Sequence, residues 1–506
     1  MTEVELKFAV DRASRARLAR CPPLAGVRPV RRRVWTLYFD TPDGEIARNG
    51  MALRLRRVDG RWIQGLKAGK SGRGGLHARE EWEFDRDGPG IDLAAFAATP
   101  LARLRDAGRL HERLAPVFEV DFVRTAWTVA PRRGSRLEVA LDVGRVATRT
   151  RSEPIAELEI ECLEAGAGAA FDFALALLRH VRLRPSAVTK AQRGYRLLRG
   201  TPPLPARTKP VALRPSLTPL EAARAVIGPA LEQLQANEDG LLRSDDPEFV
   251  HQARVALRRM RSALRIFRAA IGRDRARAWR EALGGFAAAL GGARDWDVFA
   301  HETLPPALAA CRDAALARRL QARADRRRAG ERAAARRALA SPAHARVVLE
   351  LARWLAGAEP PSAGTSRAPL APFATRVLRK RHKRLLAGAR RLASLDAEGR
   401  HRVRIDAKRL RYAVDGLASV FESRRVKRYR RALAGLQDQL GTANDAVSAA
   451  RLVAALDPPA AFAAFARDWY AARARLHPRR IERLVDRLAR RGPPVPREAK
   501  RSPEGR

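Results

Sequence analysis

The chain has 506 residues, 46% of them hydrophobic, which is ample for real cores and excludes a disordered basic tail. Its 100 Lys and Arg against 55 Asp and Glu leave a formal charge of +45, which points to a polyanionic partner: nucleic acid, an anionic surface or polyphosphate. Three cysteines, Cys21, Cys162 and Cys311, exclude a disulfide framework and a Cys-rich zinc module, and the absence of an 18-residue apolar run excludes a helical membrane span.

The opening MTEVELKFAV has no charged segment followed by an apolar one, so secretion is not expected and a reducing cytoplasm is. Of the basic residues 90 are Arg and 10 are Lys, so no single Arg is informative by identity and position must carry the argument.

In chain order, alternating segments near 2–9, 34–40, 51–57, 62–68, 78–85, 117–129, 136–143 and 154–163 predict eight strands, enough to close a barrel. Two helical stretches, near 92–113 and 168–182, interrupt them. Residues 201–217, TPPLPARTKPVALRPSL, are rich in Pro and basic residues and read as a linker. Residues 1–200 carry +12 and the remainder +33. Beyond the linker, Ala, Leu and Arg recur at helical spacing. Loops are expected at Asp245-Asp246-Pro247, at Gly291-Gly292 and over 356–372, and a disordered tail from Arg491.

This second half repeats itself. HQARVALRRMR at 251–261 matches HRVRIDAKRLR at 401–411, Pro219-Leu220 matches Pro369-Leu370, and LGGARDWDV at 290–298 matches LGTANDAVS at 440–448, all 150 residues apart. The expected organisation is residues 1–200, a linker at 201–217, a helical domain at 218–490 with repeats at about 218–355 and 368–490, and a tail at 491–506. The basic segment 312–340 finishes the first copy.

The strands of the first half carry charge on one face. Glu3, Glu5 and Lys7 alternate with Val4, Leu6 and Phe8; Arg54 and Arg56 with Leu53 and Leu55; Glu157, Glu159 and Glu161 with Leu158 and Ile160. Arg79, Glu81 and Glu83 share a parity, as do Glu138 and Asp142. A solvated, salt-bridged face explains any one strand. Carboxylates at i and i+2 repel unless something lies between them, and a divalent cation resolves that repulsion. Oxygen ligands without His or Cys favour Mg²⁺ or Mn²⁺, while Arg and Lys on neighbouring strands would hold phosphate oxygens.

Glu3-Val4-Glu5-Leu6-Lys7 resembles the Glu-x-Glu-x-Lys signature of the CYTH family, the triphosphate tunnel metalloenzymes. The likeness continues through Tyr38-Phe39-Asp40-Thr41, Leu53-Arg54-Leu55-Arg56, Lys67, Arg79-x-Glu81, Arg124, Glu138…Asp142, the Glu157–Glu161 strand and Ser186…Lys190…Arg193-Gly194-Tyr195. It implies an α+β fold, an eight-stranded antiparallel tunnel barrel with flanking helices, acting on a triphosphate: inorganic triphosphate, thiamine triphosphate, or ATP cyclised to cyclic AMP. It also implies that Lys7, Arg54, Arg56, Lys67, Arg79, Arg124 and Lys190 bind the phosphate chain. Glu3, Glu5, Asp142, Glu159 and Glu161 are then the metal-ligand candidates, and Glu81, Glu83, Glu138 and Glu157 are ligands or groups that orient them. Glu3, Glu5, Lys7, Arg54, Arg56 and Glu81 form the expected catalytic set. In the Gly-rich stretch from Lys67 to Gly75 the role of Arg73 is open.

On a helical wheel His251, Arg254, Arg258, Arg261 and Arg265 share a narrow arc opposite Leu257, Met260, Leu264 and Phe267; His401, Arg404, Lys408 and Arg411 repeat the stripe. A cationic stripe repels itself and answers an external polyanion. These residues resemble the CHAD family, an all-α helical bundle of two pseudo-symmetric halves. The resemblance implies that both stripes bind inorganic polyphosphate in a basic channel, and Asn444 stands where the first copy has Arg294. Tunnel followed by helical domain is itself a recurring order.

The sequence reading is therefore a metal-dependent inorganic triphosphatase, hydrolysing tripolyphosphate to diphosphate and phosphate, with a polyphosphate-binding module. A class IV type adenylyl cyclase and a non-catalytic polyphosphate-binding protein are the alternatives. Nucleic acid is expected only non-specifically, since few aromatics accompany the stripes, and no membrane is expected as a partner.

Overall fold

The structure, a computed structural model, describes residues 2–69, 74–107, 110–164, 166–209, 211–358, 368–473 and 477–494. Arg73 and most of the expected tail, 495–506, lie outside the described residues.

Nine strands form one sheet: β1 Thr2–Val10, β2 Val30–Asp40, β3 Met51–Val58, β4 Arg61–Ala68, β5 Leu76–Arg86, β6 Ala115–Val129, β7 Arg136–Ala147, β8 Ser152–Glu164 and β9 Leu183–Pro185. Their order is β5-β4-β3-β2-β6-β7-β8-β1-β9, and β1 also pairs with β5. That extra pairing closes β1–β8 into an antiparallel barrel, with β9 added beside β1. Because side chains alternate, one parity of every strand faces the interior. The expected eight-strand barrel is present; β9 is the strand that the sequence reading did not include.

The predicted helix at 92–113 breaks into short turns, Ala94–Phe96, Ala102–Ala107 and Leu110–Arg113. Pro100 lacks an N–H and disfavours helix at Thr99. The Thr99 hydroxyl instead donates to the Phe96 carbonyl at 2.7 Å and accepts from Leu101 N–H. The segment packs Phe96, Leu101 and Leu110 against Leu53 and Leu66, covering the outer face of β3 and β4. The second predicted helix is α1, Ala167–Leu177. The helix α2, Lys190–Arg199, was not foreseen; a capping box of Thr189 and Gln192 starts it.

From residue 219 helices take over: α3 Pro219–Arg243, α4 Pro247–Ile266, α5 Arg273–Val298, α6 Ala314–Leu339, α7 Pro342–Leu355, α8 Leu370–Ala389, α9 Ala397–Gly416 and α10 Ser423–Ala454, followed by Ala460–Arg473 and Pro478–Arg491. The duplication is visible in their bounds. Asp246 and Asp396, 150 residues apart, cap α4 and α9 by accepting backbone N–H bonds, and α5 and α10 start at the same offset.

Gly291-Gly292, read as a loop, lies inside α5. The glycines serve close approach: a Cβ at Gly291 would meet Arg254 Nη1 at 2.9 Å, and one at Gly292 would meet the Glu331 carboxylate at 2.3 Å.

The chain forms two compact units. One comprises residues 1–205, 238–244 and 339–360; the other comprises 206–237, 245–338 and 361–506. The tunnel unit thus includes α7, whose Val347, Val348, Leu351 and Trp354 are buried and which packs on α1 and β9. Within the helical unit, Ala206, Thr208 and Leu213 are tied down. Ala206 exchanges two hydrogen bonds with Asn237, the Thr208 hydroxyl donates to the Pro229 carbonyl, and Leu213 N–H donates to Ser419 Oγ at 2.7 Å. This part of the predicted linker is a strap. Among the described residues no helix is long and apolar enough to cross a membrane.

Candidate functional site

The interior of the barrel is a cavity of about 160 Å³. Lys7, Arg54, Arg56, Lys67, Arg79, Arg124 and Lys190 line it, interleaved with Glu3, Glu5, Glu81, Glu83, Glu159 and Glu161. Every phosphate-binding residue expected from the sequence is there, as are all metal-ligand candidates except Asp142.

Register explains the pairing. Lys7 lies opposite Glu159 and Glu5 opposite Glu161 across β1 and β8, and Lys67 lies opposite Glu81 across β4 and β5. Lys7 Nζ is 3.0 Å from Glu5 and 3.2 Å from Glu159. Lys190 Nζ is 2.7 Å from Glu159. Arg54 donates to Glu81 and, at 2.7 Å, to Glu83; Lys67 donates to Glu3. Gly65 stands between Arg54 and Glu83 in the register, and a Cβ there would press on Arg54 Nε at 3.2 Å. The missing side chain lets Arg54 reach across.

Asp142 is apart. It is fully buried, accepts two bonds at 2.8 Å from Arg124, and lies 2.7 Å from Lys190 Nζ. Both oxygens of this expected metal-ligand candidate are engaged by Arg124 and Lys190 behind the lining, as both oxygens of Glu159 are by Lys7, Lys190 and Arg124. Glu157 is likewise buried, against Arg193 at 3.0 Å.

The charges respond to this packing. Burial opposes the charge on Lys7, but Glu159 and Glu5 outweigh it and raise its pKa. Burial also opposes ionisation of Glu159, yet Lys190, Lys7 and Arg124 hold it well below the ordinary carboxylate range. Glu161 has the opposite fate: burial, then Glu3, Glu138 and Glu5, push it up to about 7. Arg56 is lowered, first by burial and then by Arg54. Among the described residues, no acceptor meets the buried Nε–H groups of Arg54 and Arg56.

Sequence reasoning gave Tyr38 no role and missed Thr36 and the start of α2, where the N-cap Thr189 and Ala191 line the cavity beside Lys190. Gly194 allows that helix to lie flush, since a Cβ there would sit 2.1 Å from the Phe118 ring. His77 also went unnoticed. It is buried opposite Glu5, its Nε2 is 3.1 Å from the Ser186 carbonyl, and burial followed by Lys7 lowers its pKa to about 4.

Among the described residues, no three or more His, Cys, Asp or Glu side chains are gathered as a metal cluster. The donor chemistry nevertheless fits a hard cation. The carboxylates Glu3, Glu5, Glu138 and Glu161 supply oxygen donors only, and burial, then the charges of Glu3, Glu138 and Glu5, disfavours ionisation of Glu161.

In the helical unit, Arg254, Arg258, Arg261, Arg265 and Lys408 line a groove of about 450 Å³ together with Arg381 and Arg409, and no carboxylate among the described residues lines it. Burial, then neighbouring arginines, lowers Arg265 and Arg381 to about 10. The stripe on α9 departs from the expected one. Arg411 turns outward to Gln437 at 3.2 Å and Asp415 at 3.7 Å, and Arg404 pairs with Asp445 at 3.3 Å. The groove instead meets Ile405, Lys408, Arg409 and Tyr412. His251 is half-buried and His401 exposed; neither lines the groove. The side chain of Asn444 is outside the described residues.

Comparison with known proteins finds a domain match in each half of the chain. Residues 1–195 match the CYTH domain and residues 225–454 the CHAD domain. Over 161 residues the chain is 33% identical to an inorganic triphosphatase of Haemophilus influenzae, which is 32% of this chain and 44% of that protein. The match therefore spans under half of that relative's length. Among solved structures, the CHAD domain from the plant Ricinus communis aligns with a TM-score of 0.49 and 34% identity, covering 58% of this chain and 99% of its own. The putative adenylyl cyclase HpAC1 from Hippeastrum, described as having a dominant triphosphatase activity, aligns with a TM-score of 0.29 and 19% identity over 40% of this chain and 98% of its own.

Proposed function

Because the chain belongs to the CYTH family over residues 1–195 and to the CHAD family over 225–454, we propose that it is a metal-dependent inorganic triphosphatase with a polyphosphate-binding helical unit. The observation that carries this reading is the tunnel lining, seven cations interleaved with six carboxylates inside a closed barrel. A pure anion receptor has no use for so many carboxylates.

Lys7, Arg54, Arg56, Lys67, Arg79, Arg124 and Lys190 bind the phosphate chain, with the N-terminal turn of α2 adding its partial positive charge. Asp142 positions Arg124 and Lys190. Glu3, Glu5, Glu159 and Glu161 are the candidates to hold Mg²⁺ or Mn²⁺, which when bound neutralises phosphate charge and lowers the pKa of a water. Water attacks the terminal phosphorus, the bridging P–O bond breaks, and diphosphate leaves carrying the bond's electron pair. Cations along the tunnel stabilise the charge on that leaving group.

The cyclase alternative has less support. Lys190 and Arg124 lie 5.2 and 5.8 Å from the centre of the Phe122 ring, and Tyr38 stacks on Phe118. Phe122 and Tyr38 are the two aromatic residues of the lining among the described residues, and these contacts occupy their rings. The helical groove, with seven cations and no carboxylate among the described residues, suits a long polyphosphate and would tether the enzyme to it or supply chain ends.

The test is phosphate release from tripolyphosphate, ATP and thiamine triphosphate under one metal condition. Tripolyphosphate should be preferred; ATP or thiamine triphosphate hydrolysed as fast or faster would overturn the substrate assignment.

A further inference from the structure

Beside the basic groove lies a second cavity in the helical unit, of about 230 Å³. Its floor is apolar: Val226, Pro229 and Ala230 of α3 face Ala263, Ile266 and Phe267 at the end of α4. The strap residues Thr208, Lys209 and Val211 border it. Arg259 fastens that border by donating to the Thr208 carbonyl at 3.2 Å and to Gln233 Oε1 at 2.9 Å.

The repeat makes this floor stand out. Residues 226–234, VIGPALEQL, contain no cation, whereas the corresponding 376–384, RVLRKRHKR, contain six Lys or Arg. The first copy lacks the cations that the second carries here, and its helix holds Pro229, which has no N–H to donate to the helix ladder.

The two cavities share a wall. Arg258, Ser262 and Tyr412 line both, with the Arg258 guanidinium 4.9 Å from the Tyr412 ring centre. Asp415, also in the lining, accepts from Arg430 at 2.7 Å and offers a carboxylate to the exocyclic amino group of a base. An apolar slot with a few polar groups, opening beside a cationic groove, matches a ligand with a planar head and a phosphate tail.

We infer that this cavity is a nucleoside polyphosphate site: the base lies on the Val226–Phe267 floor near Asp415, and the phosphates pass Arg258 into the groove. This rests on the groove's reading as a phosphate site. It adds a ligand class that inorganic chains alone would not require.

The test uses the full chain and 8-azidoadenosine triphosphate, with photolabelled peptides sequenced. Label is expected on peptides from α3, α4 and α9. Val226→Trp, which fills the floor, should lower that label about tenfold while leaving long-chain polyphosphate affinity unchanged. Lys209→Glu changes an exposed strap residue at the rim, outside the helix packing, and should lower it about threefold. Label confined to tunnel strands, or label in the helices that neither substitution reduces, would overturn the inference. If wild type fails to bind polyphosphate at all, the groove reading fails; if polyphosphate binds and the helices stay unlabelled, only the nucleotide site fails.

Discussion

Lys7 and Glu159 lie opposite each other in the β1–β8 register, and their side chains meet at 3.2 Å inside the tunnel. The pairing recurs around the lining, with Lys190 on Glu159, Arg54 on Glu83 and Lys67 on Glu3. A phosphate chain that takes the cations must release carboxylates, and released carboxylates need a cation.

Metal and triphosphate should therefore bind cooperatively. Calorimetric titration of tripolyphosphate into the Glu3→Gln variant, with and without Mg²⁺, should show a smaller metal effect than in wild type. For wild type the metal should tighten binding by at least about fivefold. Equal affinities with and without metal in wild type would count against this linkage.

Asp142 and Glu161 should separate kinetically. Asp142→Asn loosens Arg124 and Lys190 and should cost about 10–100-fold in kcat/KM with metal affinity little changed. Glu161→Gln should weaken the metal instead. Metal-dependence curves of the two variants distinguish these outcomes.

In the helical unit, Arg381→Ala should weaken polyphosphate binding and reduce the slope of log affinity against log salt by about 1. Arg411→Ala, on a side chain turned toward Asp415, should change neither. Fluorescence titrations across a salt series read both.

A fragment ending at residue 205 lacks α7, part of the tunnel unit. Val347, Val348, Leu351 and Trp354 are at most 2% exposed, and each such side chain contributes about 1.5–3 kcal/mol. The fragment should unfold at a clearly lower temperature than the tunnel unit of the full chain; equal melting by calorimetry would contradict this packing.

Glu83 makes acid sensitivity calculable in sign. Burial opposes its charge, but Arg54 and Arg56 outweigh that and lower its pKa to about 2 from an ordinary 4.5. A depressed carboxylate stabilises the folded state above its unfolded pKa and loses that contribution as pH falls. Wild type should lose tunnel stability between about pH 4.5 and 2, and Glu83→Gln should lose less over that window.

Much of the tunnel was legible because strand parity is local. Glu3-x-Glu5-x-Lys7 fixes which side chains share a face before any partner strand is known. The pairing partners are not local, so nothing in the chain near Asp142 reveals that Arg124 and Lys190 occupy both its oxygens. The same applies to Arg381, which lies on α8 and not on either striped helix, and to Arg411, whose wheel position was right for α9 alone but not for the groove. Gly291-Gly292 read as a break because Gly lowers helix propensity, whereas packing against Arg254 and Glu331 required small residues there. The membership of α7 in the tunnel unit depends on contacts far apart in sequence.

The most direct measurement is phosphate release from tripolyphosphate by wild type and by Glu3→Ala/Glu5→Ala, each with Mg²⁺, with Mn²⁺ and with chelator. Release that needs metal and disappears in the double variant is the predicted result. Wild-type release that persists in chelator, or a double variant as active as wild type, would contradict a metal-dependent tunnel enzyme.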